Sequence, residues 1–276
     1  MTPALAPTFT LANGVRMPRI GLGTWPMNDA EAASAVAQAI RLGYRLIDTA
    51  ENYRNEAGVG EGLRRSGVAR DEIFVTTKFN REWHSLAGPR AACEASLKRL
   101  GLDHVDLLLI HWPNPDQDRY VEAFAGLTRV LEAGLTRAIG VSNFKAAHLQ
   151  RLFDAGFAPH VNQIQLDPCR RRDDVVALHR AHGIVTETWS PINRGGELMS
   201  ESAIIEIALR LGRTPAQIAL RWHVQNGLAP IPKSSDAARQ AANLDVFSFT
   251  LSDADMAALA ALPQRPVQLD ADSFGH

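Results

Sequence analysis

Residues 29–53 read DAEAASAVAQAIRLGYRLIDTAENY, and the change of periodicity inside them decides the fold. From Asp29 to Leu42 the run is rich in alanine, with Ala32, Val36, Ala39 and Ile40 recurring at helical spacing. Gly43 stands where a helix is expected to end on a left-handed residue. A short apolar run through Leu46 and Ile47 comes next, and it stops on the polar pair Asp48-Thr49. The order helix, glycine, apolar strand, polar strand end is one unit of an alternating α/β chain.

The unit repeats in both directions. Strand candidates begin near Ile20, Arg45, Ile73, Val105, Thr136, Val161, Ile184 and Ala229, mostly about 25–30 residues apart. Helix starts are readable between them. Thr214-Pro215-Ala216-Gln217 combines a capping box with proline at the first helical position, and Ser252 opens a last helix running toward Pro263. Phe9-Thr10-Leu11 and Val15-Arg16-Met17 flank Asn13-Gly14, which predicts a hairpin with a type I′ turn. The longer gap before the eighth strand holds a loop and two helices. No linker or composition shift divides the chain, so the expectation is one α/β domain over residues 1–276. Its expected form is a single (β/α)8 TIM barrel with an N-terminal β-hairpin and extra helices near the C-terminus; a doubly wound open sheet is the alternative.

Composition limits the function. Among 276 residues, 29 Lys and Arg face 30 Asp and Glu, and 46% are hydrophobic, which excludes a disordered chain and disfavours a nucleic-acid partner. Two cysteines, Cys93 and Cys169, make no disulfide framework and suit a reducing compartment. The first residues have neither the basic flank nor the apolar run of a signal peptide, and no apolar run is long enough for a bilayer. A cytoplasmic monomer without a membrane or nucleic-acid partner is expected.

The polar residues that end each apolar strand carry the most information. The second strand reaches Asp48, the third (Ile73 to Thr77) reaches Lys78, and the fourth (Leu107 to Ile110) reaches His111. The fifth ends Ser142-Asn143, the sixth contains Asn162-Gln163, the seventh ends Trp189-Ser190, and the eighth reaches Lys233-Ser234. In a barrel all of these ring the C-terminal face, where active sites are built. Asp48, Lys78 and His111 would be neighbours, and Tyr53 lies five residues after Asp48. An aspartate keeps a lysine charged, and a charged lysine favours phenolate, so the expectation is that Tyr53 titrates below the usual value of about 10. Such a tyrosine can exchange a proton with an alkoxide or alcohol, while His111 orients a carbonyl oxygen.

These residues sit in stretches by which the chain resembles the aldo-keto reductases over nearly its whole length. They are Gly21-Leu22-Gly23-Thr24-Trp25, Leu46 through Glu56, Thr77-Lys78, Leu109-Ile110-His111-Trp112-Pro113, Val141-Ser142-Asn143-Phe144, Val161-Asn162-Gln163-Ile164 and Ile231-Pro232-Lys233-Ser234. The compact loop after His111 and the C-terminal half look most like the bacterial branch with the 2,5-diketo-gluconic acid reductases. The resemblance implies that Asp48, Tyr53, Lys78 and His111 form the catalytic tetrad, with Tyr53 the general acid. It implies NADPH, with NADH as second choice, lying extended across the barrel mouth. Ser142, Asn143 and Gln163 would bind the carboxamide, Trp189 would stack on the nicotinamide, and Thr24 would join the cofactor set. Ser190, Ile192 and Arg194 would track the pyrophosphate, and Lys233, Ser234, Arg239 and Asn243 would hold the adenosine end and its 2′-phosphate. Trp25, Trp83 and Trp112 would wall the pocket for a small carbonyl substrate, with residues 272–276 folded over it. Asp236, Ala242 and Asn193-Arg194 depart from the family's usual pattern.

Other features read as structural. Gly58, Gly60 and Gly62 lack the spacing of a Rossmann fingerprint. His179 and His182 have no third ligand, so no metal is expected. Arg170-Arg171-Arg172-Asp173-Asp174 reads as a solvated helix start. The expected function is NAD(P)H-dependent reduction of aldehydes, ketones or keto-sugars. A non-catalytic nicotinamide-binding regulatory subunit is the alternative, and a hydrolase is disfavoured because no acidic pair is apparent at the strand ends.

Overall fold

A computed structural model describes residues 5–275. The chain begins with an antiparallel hairpin of β1 (Thr8–Thr10) and β2 (Arg16–Pro18). Among the described residues, eight parallel strands come next: β3 (Leu22–Gly23), β4 (Leu46–Asp48), β5 (Phe74–Phe79), β6 (Val105–Ile110), β7 (Thr136–Ser142), β8 (Val161–Gln165), β9 (Val185–Trp189) and β10 (Ala229–Ile231). Their order in space is their order in sequence. The backbone N–H groups of Gly21 and Gly23 donate to the carbonyls of Pro230 and Pro232, each at 3.1 Å, and so join the first strand to the last. That closure makes the sheet a barrel and excludes the doubly wound alternative.

Helices α1 (Asp29–Leu42), α2 (Glu56–Ser66), α3 (Gly88–Leu100), α4 (Tyr120–Glu132), α5 (Ala146–Asp154) and α6 (Asp173–Ala181) return the chain between successive strands. Both α7 (Ser202–Leu211) and α8 (Pro215–Gln225) precede β10, and α9 (Ala237–Leu244) and α10 (Asp253–Ala260) come after it. The predicted caps form: Gly43 adopts φ 116°, and Thr214 with Gln217 and Ser252 with Asp255 make reciprocal boxes. Asn28 adds a further cap, accepting from Glu31 N. No helix among the described residues is long and apolar enough to cross a membrane.

Strand alternation explains the apolar runs. On β6, Leu107 and Leu109 point into the barrel among Leu46, Phe74, Val161 and Ile231, while Leu108 and Ile110 pack outward against the helices. Leu11 and Met17 of the hairpin join the inner cluster and so close the N-terminal end of the barrel. The hairpin turn differs from expectation. Leu11 N donates to Val15 O and Gly14 N to Leu11 O, with Gly14 at φ 85° and Asn13 outside the left-handed region, giving a three-residue loop and not a type I′ turn. Asn13 instead donates to Arg137 O at 2.9 Å, tying the hairpin to β7.

The glycine run of α2 has a packing role. A Cβ on Gly58 would lie 2.1 Å from Asp29 O, and one on Gly60 would lie 2.0 Å from Leu100 O, so α2 can approach α1 and α3 only without side chains there. The barrel thereby presents the ends of β4 to β10 at one open mouth.

Candidate active site

At the end of β4 and β5, Lys78 Nζ donates to both carboxylate oxygens of Asp48 at 2.8 Å and to Thr49 O at 2.9 Å. It also lies 3.3 Å from Tyr53 Oη. Tyr53 ends a 3-10 turn (Glu51–Tyr53), and the loop holding it is anchored from below. There Asn55 Nδ2 donates to Thr24 O and Met27 O, while Thr49 Oγ1 donates to Asn55 Oδ1. His111 stands just after β6, with its ring 5.8 Å from that of Tyr53 and edge-on to it. Its Nδ1 meets Asn80 Oδ1 at 3.1 Å. The tetrad residues are thus together. Asn55 and Asn80, which support them, escaped sequence reasoning because polar loop residues give no periodic signal.

Charge and burial set the protonation states. Burial opposes the Lys78 ammonium, but the contact with Asp48, helped by Tyr53 and Glu187, outweighs it and raises the lysine pKa. His111 is held well below the usual imidazole range by burial and then by Lys78, so it is neutral. Tyr53 corrects an expectation. Burial raises its phenol above the ordinary value by more than Lys78 lowers it, so Tyr53 keeps its proton at neutral pH.

Beside the tetrad, Ser142, Gln163 and Glu187 are register neighbours across β7, β8 and β9. Gln163 Nε2 donates to Asp48 Oδ1 at 2.8 Å and to Glu187 Oε2 at 2.5 Å. Asn143, at φ 65°, donates to His111 O and Ser142 Oγ, and its Oδ1 accepts from Trp189 Nε1 at 2.8 Å. Glu187 is fully buried, and its pKa is pushed up to about 8 by burial and then by Asp48. This is the acidic neighbour to Asp48 that the strand ends did not reveal. Alternation in Val185-Thr186-Glu187-Thr188-Trp189 puts Glu187 on the same side as Trp189, which was the available signal.

The mouth opens into a cleft of about 1240 Å3 running from His111 and Trp112 to Asn243. Asp48, Tyr53, Ser142, Asn143, Gln163, Trp189, Ser190, Ile192, Arg194, Lys233, Ser234, Arg239 and Trp25 also line it. Lys78 lies behind Tyr53, fully buried. Two expected contacts are not brought there. Thr24 is buried and donates to Asp48 O at 2.9 Å, and Trp83 donates to Glu51 Oε2 at 3.0 Å while its ring packs on the helical core. Asn52, Met199 and Leu269 also line the cleft, and Phe274 lines it from the C-terminal segment expected there.

The arrangement fits a dinucleotide. At the floor, Trp189 offers a planar face, with Ser142, Asn143 and Gln163 beside it. In the middle, Ser190, Asn193 and Arg194 are left-handed, and the Arg194 guanidinium lies 4.6 Å from the Trp25 ring, so a cation spans the cleft. At the far end, the nearest acids to Lys233 and Arg239 are 3.5 and 3.9 Å away, leaving both cations loosely held. Asp236 is explained by its place: it caps α9, accepting from Arg239 N at 2.8 Å. The C-terminal segment folds over the mouth as expected, although His276 lies outside the described residues. Phe274 meets Trp112 at 4.7 Å, Asn114 Nδ2 donates to Gly275 O, and Lys145 holds Asp270 and Asp272.

His179 is a satisfied core residue bonded to Asn162 and Thr186. Arg170 is buried and paired with Asp167 at 3.0 Å, unlike the solvated position expected of it.

The comparisons with known proteins agree with this geometry. The model of the aldo/keto reductase family matches residues 19–263. Methylglyoxal reductase DkgA of Yersinia pestis is 46% identical, over 94% of this chain and 93% of that protein. The 2,5-diketo-D-gluconic acid reductase B of a Corynebacterium is also 46% identical, over 93% of each chain, and morphine 6-dehydrogenase of Pseudomonas putida is 48% identical, over 92% and 90%. Among solved structures, a Gox0644 variant in complex with NADPH superposes with a TM-score of 0.93 at 40% identity, over 98% of this chain and 99% of that one. With barrel, cleft and sequence in accord, this chain belongs to the aldo/keto reductase family.

Proposed function

We propose that the protein reduces small aldehydes, ketones and keto-sugars to alcohols with NADPH, as one barrel unit working as a cytoplasmic monomer. The observation that carries this is the Tyr53 hydroxyl, 3.3 Å from a lysine ammonium that is itself clamped by Asp48, facing a cleft beside neutral His111. The reduced nicotinamide, when bound, supplies a hydride. Trp189 gives the ring a flat support, and Ser142, Asn143 and Gln163 hold its carboxamide. Ser190, Ile192 and Arg194 border the pyrophosphate, while Lys233, Ser234, Arg239 and Asn243 take the adenosine end. Lys233 and Arg239 favour the 2′-phosphate, since Asp236 is engaged as a helix cap.

Tyr53 then gives its proton to the carbonyl oxygen as charge develops there. Lys78 stabilises the phenolate left behind, and Asp48 keeps Lys78 charged. His111, being neutral, can hydrogen-bond the carbonyl oxygen without adding charge. Because burial keeps Tyr53 protonated, the site favours reduction near neutral pH, and oxidation of the alcohol gains as pH rises. Trp25, Trp112 and Phe274 give the substrate end apolar walls. The relatives named for methylglyoxal, a diketo sugar acid and morphine support small oxygenated carbonyl compounds as the class. A complete pocket within one chain and two buried, unpaired cysteines support the monomer and the reducing compartment.

The regulatory alternative gives way, because a binding-only protein has no use for a clamped lysine beside a protonated tyrosine. The test is cofactor consumption with methylglyoxal, simple aldehydes and keto-sugars, using NADPH and NADH in parallel. Turnover with NADPH exceeding that with NADH is expected. Tight NADPH binding without turnover on any carbonyl would return the regulatory reading.

A further inference from the structure

Glu187 is an expensive residue for its position. It sits inside the barrel with no exposure, and its Oε1 has no hydrogen-bond partner among the described residues. A position filled only for packing gains nothing from a carboxyl group there, since a buried polar atom without a partner is destabilising. Its other oxygen makes one contact of 2.5 Å, to Gln163 Nε2, which also donates to Asp48 Oδ1 at 2.8 Å.

We propose that Glu187 is a positioning residue for the cofactor: with Asp48 it engages both amide hydrogens of Gln163 and so turns Gln163 Oε1 toward the nicotinamide carboxamide. The inference rests on reading the cleft as a nicotinamide site. The two ends of a glutamine amide are nearly the same size, so shape alone does not choose between them. Here the acceptors choose. Rotating the amide by half a turn would bring Oε1 against the Asp48 carboxylate oxygen that now accepts from Gln163 Nε2 and Lys78 Nζ. With Asp48 alone, one N–H would lack a partner and the amide plane would be free to turn about the remaining bond. With both, the carbonyl oxygen is offered to the cleft as an acceptor for the carboxamide NH2.

The test compares ligands that differ at that one group. Affinities are measured by quenching of tryptophan fluorescence for NADP+, for its 3-acetylpyridine analogue, in which methyl replaces the carboxamide NH2, and for 2′-phospho-ADP-ribose, which has no nicotinamide. In the unaltered protein NADP+ is expected to bind about tenfold tighter than the analogue. Glu187→Met should bring that ratio close to one while leaving the 2′-phospho-ADP-ribose affinity unchanged. Glu187→Gln keeps an acceptor oxygen and should restore the ratio. Gln163→Met, which leaves Glu187 in place, should also abolish it and guards against a Glu187→Met protein that fails to fold. A Glu187→Met protein with the unaltered ratio, or one that loses all three ligands equally, overturns the proposal, as does a Gln163→Met protein that still discriminates. Failure of the unaltered protein to bind NADP+ and the fragment would instead remove the nicotinamide reading of the cleft, and the proposal with it.

Discussion

At the cleft floor, Asp48, Lys78, Gln163 and Glu187 are all more than nine-tenths buried and joined by contacts of 2.5 to 2.8 Å. At the far rim of the cleft, Lys233 and Arg239 are exposed, and their acidic neighbours stand at 3.5 and 3.9 Å. The difference lies in the dielectric surroundings. In the floor, charges act at short range with little water to screen them, so protonation states and amide orientations are set before any ligand arrives. At the rim, charges are exposed to water and screened, and their acidic partners stand farther off.

Breaking the floor should therefore cost stability as well as activity. Lys78→Met leaves the Asp48 carboxylate buried without its cation, and a loss of about 3–5 kcal/mol is expected from uncoupling a buried pair. Chemical denaturation measures it, and a protein as stable as the unaltered one would show that the pair is not a structural keystone.

The pH dependence of stability sharpens the same contrast. His179 and His223 are held at about 4 and His111 well below its usual value, all chiefly by burial, while unfolded imidazoles titrate near 6.5. Between those values the unfolded chain binds more protons, so the melting temperature should fall as pH drops from about 6.5 toward 4. Glu187 acts in the opposite sense. Its folded value of about 8 exceeds its reference value of 4.5, so its contribution weakens as pH rises through that interval. Glu187→Gln should make stability fall less steeply as pH rises from about 4.5 to about 8 and leave its dependence outside that interval alone. An unaltered slope across that interval would mean that Glu187 is not titrating in the folded protein.

A smaller effect is expected at the rim. Arg239→Ala should raise the KM for NADPH about tenfold, in line with one charge-assisted contact, with kcat nearly unchanged and stability unaffected. Added salt should reduce the difference between the two proteins. A fall in kcat as large as the rise in KM would place Arg239 in the chemistry and dissolve the distinction between floor and rim.

The same contrast governs what the sequence makes legible. Strands buried on both faces are rich in apolar residues, so the runs at 73–75 and 107–110, with Lys78 and His111 just after them, stand out. Tyr53 is readable through its spacing from Asp48 and the family resemblance. Its pKa direction is not, because neighbours are visible in a sequence and desolvation is not. Glu187 is a lone acid in a strand flanked by threonines, and only the register beside Gln163 gives it meaning. Trp83 was misplaced because an aromatic after a catalytic strand can face the pocket or the core, and its indole N–H is drawn to Glu51. At the rim, Lys233 and Arg239 were readable as cations at the last strand and the helix after it, but Asp236 needed the cap geometry to show that its charge is already engaged.

In the proposed reaction, a protonated, lysine-supported Tyr53 at the buried floor delivers the proton of carbonyl reduction. The most direct test of this role is the rate of NADPH consumption by Tyr53→Phe on the best carbonyl substrate, at saturating NADPH and with NADPH affinity measured alongside. A rate lower by about 10²- to 10⁴-fold is expected, the usual contribution of a positioned general acid, with affinity for NADPH retained. A Tyr53→Phe protein that turns over as fast as the unaltered one would contradict it.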